Sequence, residues 1–114
     1  MERHPEYKYC VGQINTEEHW IYIEDRDDSG WGKLARDPWE DDNESGALEF
    51  ILRIKDKTGW DIEKVGDWQY RFKQDELGII YQWDNLFGFV IIYKNSSVLN
   101  KTLDFLESII FIGI

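Results

Sequence analysis

The side chains best suited to chemistry in this chain fall in one run, Asp25-Arg26-Asp27-Asp28-Ser29-Gly30. Asp25, Asp27 and Ser29 take the first, third and fifth positions of a calcium loop, and Gly30 takes the sixth, where such loops turn sharply. The pattern then breaks, because the twelfth position needs a bidentate Glu and is Arg36. A strand pattern, rather than a helix, also leads into it. The run therefore reads as an acidic turn, and no metal ligand is assigned. His4 and His19 are the two histidines, and neither has a second His or a Cys at zinc-ligand spacing. His19, beside Trp20, reads as a strand residue rather than a general base. Cys10 lies in a strand pattern without a nucleophile signature and reads as a buried structural thiol. Glu24-Asp25 and Asp41-Asp42 are adjacent carboxylates, whereas a general acid/base pair must converge across a pocket. The chain has no glycine-rich phosphate loop, no serine elbow and no basic stripe. No catalytic residue and no cofactor is assigned, and the protein is expected not to be an enzyme.

The elements around that run are easier to read. From Gly66 to Lys94 the chain alternates as three strands: Trp68, Tyr70 and Phe72, then Leu77, Ile79, Tyr81 and Trp83, then Phe87, Phe89, Ile91 and Tyr93. Alternation places every second side chain on one face of a pleated sheet, which suits aromatic and β-branched residues. Polar turns at Lys73-Gln74-Asp75-Glu76 and Asp84-Asn85 favour antiparallel hairpins. Upstream, Tyr7, Tyr9 and Val11 mark a first strand. His19 to Asp25 marks a second, with Ile21 and Ile23 on one face and Trp20 and Tyr22 on the other. Large apolar groups on both faces favour a strand covered on both sides, with a partner against Trp20 and Tyr22 as the alternative. Ala47, Phe50, Ile51 and Ile54 have the spacing of a helix face, with Ser45 as N-cap and Gly59 as the stop. Leu99, Leu103, Leu106 and Ile110 repeat likewise after a cap at Asn95-Ser96-Ser97. The expected fold is one α+β domain over residues 1–114. It has two layers, a mainly antiparallel sheet of about five strands with two helices on one face, in the order β-β-α-β-β-β-α.

Charge gives the functional signal. The chain of 114 residues carries a formal net charge of −10. That opposes binding to nucleic acid or an anionic membrane, which requires Lys and Arg to displace counterions. Between Glu17 and Glu44 eleven acids face three bases, so a net −8 of the −10 lies in about a quarter of the chain. Residues 26–45 form a long irregular stretch broken by Ser29-Gly30, Gly32 and Asp37-Pro38, and loops of that length are often functional. Trp31 and Trp39 lie within it. Acids with aromatics suit capture of a cationic protein, the charge speeding encounter and the rings anchoring it. The competing reading is a solvated acidic loop whose tryptophans fold back on the core. A single cysteine, a start without an apolar leader and no run of about 20 apolar residues point to a cytoplasmic protein. The apolar end, Ile109 to Ile114, is expected either to dock on the body or to be covered by a partner, a homodimer included.

In size, acidity, aromatic content and expected fold the chain resembles the small acidic immunity proteins of bacterial polymorphic and contact-dependent toxin systems. The resemblance carries over no residue roles. It implies a cytoplasmic inhibitor that binds and occludes a basic protein partner, a toxin nuclease domain being the expected class. The surface expected to do so is Glu24, Asp25, Asp27, Asp28, Trp31, Asp37, Trp39, Glu40, Asp41 and Asp42. The alternatives are a nucleic-acid mimic that inhibits a DNA-binding protein, and a small-ligand or enzymatic domain with a pocket near Trp68 and Tyr81.

Overall fold

A computed structural model describes residues 9–25, 46–84, 88–109 and 112–113. The elements are β1 (Tyr9–Asn15), β2 (Trp20–Asp25), α1 (Gly46–Thr58), β3 (Ile62–Gly66), β4 (Gln69–Phe72), β5 (Ile80–Asp84) and β6 (Gly88–Ile92), then a 3₁₀ turn (Ser96–Val98), α2 (Leu99–Ile109) and β7 (Ile112–Gly113). They form one sheet in the order β3-β4-β5-β6-β2-β1-β7. β1 through β6 pair antiparallel, and among the described residues only the two of β7 run parallel, beside Tyr9 and Cys10. The α+β class stands.

The strand count differs from the five expected, and the added antiparallel strand is β3. Its sequence, IEKVG, alternates too briefly and too polarly to stand out. An edge strand needs a neighbour on one side only and carries charge there by preference. Glu63 and Lys64 fit that role, and Glu63 meets Arg71 of β4 across the pair at 2.8 Å. Within the apolar C-terminal stretch, Ile112 and Gly113 pair their backbone with β1.

Both helices cover one face. Phe50, Ile51 and Ile54 of α1 and Leu106 of α2 are buried with Ile21, Ile23, Phe72, Ile79, Tyr81, Phe89, Ile91 and Tyr93 in one cluster. Phe50 is its aromatic hub, with ring centroids 5.0 Å from both Tyr9 and Phe89 and 6.4 Å from Tyr81. Trp60, just past α1, stacks on Phe105 of α2 at 5.6 Å and so ties the two helices together. Burying a side chain of the size of Phe50 or Ile54 contributes about 1.5–3 kcal/mol, which an isolated helix of this length could not supply from its backbone alone. α1 stops where expected. Gly59 takes φ +73° and its N–H reaches the Lys55 carbonyl at 2.8 Å, a left-handed end that glycine adopts without a Cβ clash. Lys55 and Lys57 sit in the last turn, where the helix dipole favours cations. Asn95 caps the 3₁₀ turn ahead of α2, accepting from the Ser97 N–H at 3.0 Å.

The opposite face follows from register. Trp20, Ile92 and Ile80 are cross-strand neighbours, as are Tyr22, Val90, Gln82 and Gln69. Trp20 and Tyr22 are half-buried, whereas Ile21 and Ile23 on the helix side are sealed. His19 lies in the β1–β2 turn rather than in β2, with φ +61°. No helix among the described residues is long and apolar enough to cross a membrane.

Candidate functional site

Of the ten residues expected to form a partner surface, Glu24 and Asp25 are among the described residues. Asp27, Asp28, Trp31, Asp37, Trp39, Glu40, Asp41 and Asp42 lie outside them, as do His4, Ser45 and the rest of the partial calcium loop. Among the described residues no three His, Cys, Asp or Glu side chains gather to hold a metal ion.

Glu24 and Asp25 close β2, where antiparallel pairing sets them against Cys10 and Tyr9 of β1. Glu24 points to the face away from the helices, like Cys10 opposite it. The Cys10 thiol lies 4.0 Å from the Glu24 Oε2, at the outer limit for a sulfur donor. β1 bulges at Gly12, between Val11 and Gln13. A Cβ there would meet the Glu24 Oε1 at 2.7 Å and the Tyr22 ring at 2.8 Å. Glycine thus lets the carboxylate lie across the bulged backbone, which holds Glu24 half-buried beside a buried thiol. A close approach of this kind is a common reason for glycine in a strand.

The register places more acids beside this pair. Tyr22, Val90, Gln82 and Gln69 form one rung across β2, β6, β5 and β4. Past that rung, toward the end of β2, the described sheet and turn residues include Glu24 and Asp25, Asp84 of β5, and Asp67 of the β3–β4 turn. They include no Lys or Arg. Lys64, Arg71, Lys73 and Lys94 all lie on the other side of the rung. Neighbouring strands are about 4.8 Å apart, so Asp84 stands roughly 10 Å from Asp25 along the sheet and Asp67 about 5 Å further. Two carboxylates on strands ~10 Å apart, as Glu24 and Asp84 are, repel in water by only ~0.4 kcal/mol before salt screening, a cost the fold tolerates.

The two described residues that flank positions 26–45 both lie at this same end. One is Asp25. The other is Gly46, the start of α1, because α1 spans ~20 Å at 1.5 Å per residue and finishes at the opposite end. There the Asp61 carbonyl, just past α1, accepts from the Lys73 N–H at 3.0 Å. Phe50 near the start of α1 meets Tyr9, the register partner of Asp25. Two further acids, Glu17 and Glu18, sit in the β1–β2 turn, at the far end of β2 from Glu24 and Asp25. The length of a strand, about 17 Å at 3.3 Å per residue, thus separates Glu17 and Glu18 from Glu24 and Asp25, which follow closely in sequence.

Sequence reasoning missed Asp67 and Asp84. The only available signal was their place at strand ends, and which ends share a side depends on register. Trp68, beside Asp67, packs edge-on against Trp83 with centroids 6.2 Å apart. Tyr81, expected to line a pocket in the enzymatic alternative, is sealed in the core against Phe72 and Phe50. Its hydroxyl finds no hydrogen-bond partner among the described residues, and burial, with the Asp75 charge adding to it, holds its pKa well above the ordinary tyrosine value. Tyr81 is a packing residue. His19 rests its ring on Tyr93 at 5.4 Å and serves the turn. Comparison with protein-family models, with curated proteins and with solved structures finds no match for this chain.

Proposed function

We propose that the protein is a bacterial immunity-type inhibitor that works in the cytoplasm by binding and occluding a basic protein partner, a toxin nuclease domain being the expected class. The observation that supports this reading is the segregation of charge along the sheet. Glu24, Asp25, Asp67 and Asp84 lie past one rung, with no described base among the sheet and turn residues there. Asp25 and Gly46, which flank the acidic residues 26–45, stand at that same end. A nuclease site is electropositive because it holds phosphates, so an acidic surface is complementary to it. The carboxylates steer the encounter, and Trp31 and Trp39 supply the anchors.

The test is association kinetics with a basic toxin nuclease domain, sought first in the reading frames that neighbour this gene. Binding is expected to be tight, with an on-rate that falls about tenfold or more between low and physiological salt. A variant with Asp25, Asp27, Asp28, Asp41 and Asp42 all changed to Asn should lose that salt dependence and most of its affinity. If the fivefold variant, shown folded by circular dichroism, binds as the parent does, the proposal fails.

A further inference from the structure

We draw no further inference here: the strongest candidate, the sheet face turned away from α1 and α2 where Trp20, Ile92 and Ile80 line up beside Tyr22 and Val90, is an apolar surface with nothing in the structure to show what covers it.

Discussion

The Tyr93 hydroxyl donates to the Asn15 carbonyl oxygen at 3.0 Å, joining residues 78 apart in sequence. Tyr93 lies just past β6 and is 1% exposed, and its own N–H donates to the His19 carbonyl at 2.9 Å. Asn15 in turn organises the β1–β2 turn, its Oδ1 accepting from the N–H groups of Glu17 and Glu18 at 3.0 and 2.7 Å. One tyrosine thus fixes both ends of a turn that would otherwise rest on local hydrogen bonds.

Removing that hydroxyl should be felt. Tyr93→Phe leaves the Asn15 carbonyl without this donor and is expected to cost about 1 kcal/mol, read as a lower urea midpoint at unchanged slope. Asn15→Ala should cost a similar amount through the turn. The double variant should cost less than the sum, since the two changes disrupt the same turn.

The other sealed tyrosine should behave oppositely. The Tyr81 hydroxyl is buried with no partner among the described residues; removing an unsatisfied group of this kind, which costs about 1–3 kcal/mol, Tyr81→Phe should leave stability equal or higher. A clear loss of stability in Tyr81→Phe would show that the hydroxyl has a partner after all.

Alkaline pH should separate these two from ordinary tyrosines. Burial raises the pKa of both above the usual 10.0. Folded protein therefore holds their protons more tightly than unfolded chain. The resulting stability is complete below about pH 10 and drains away as pH climbs through the raised folded values. Urea midpoints measured at rising alkaline pH should fall for the parent, and the fall should be shallower in the Tyr81→Phe, Tyr93→Phe double variant.

His19 holds φ +61°, a conformation that His, Asn and Asp tolerate better than branched residues do. His19→Asn should change stability by less than about 0.5 kcal/mol, whereas His19→Val should cost roughly 1–2 kcal/mol. Thermal melts of the two variants side by side check this.

Charge position should matter more than charge count. Glu17→Gln with Glu18→Gln removes two acids from the turn end, and Asp25→Asn with Asp67→Asn removes two from the other. If the proposed surface is correct, the second pair should slow association with the basic partner severalfold and the first should scarcely alter it. Equal effects from both pairs would mean that only net charge acts.

Much of this molecule is visible in its residue order because local physics decides it. Alternating Ile79 and Tyr81, or Phe89, Ile91 and Tyr93, can place their large groups together only on a strand. Phe50, Ile51 and Ile54 share a face only on a helix, and Gly59 ends that helix because a left-handed residue there suits glycine. The α+β class and the two-layer build follow from those periods. The β3 strand was not visible, because an edge strand closes its hydrogen bonds through a neighbour and Ile62 to Gly66 has little apolar pattern of its own. Tertiary pairing alone decided which charges stand together. Register carried Asp67 and Asp84 to the end where β2 finishes, and the β1–β2 hairpin sent Glu17 and Glu18 to the other. Adjacency across a sheet is set by hydrogen-bond register between distant strands, and no local spacing along the chain encodes it.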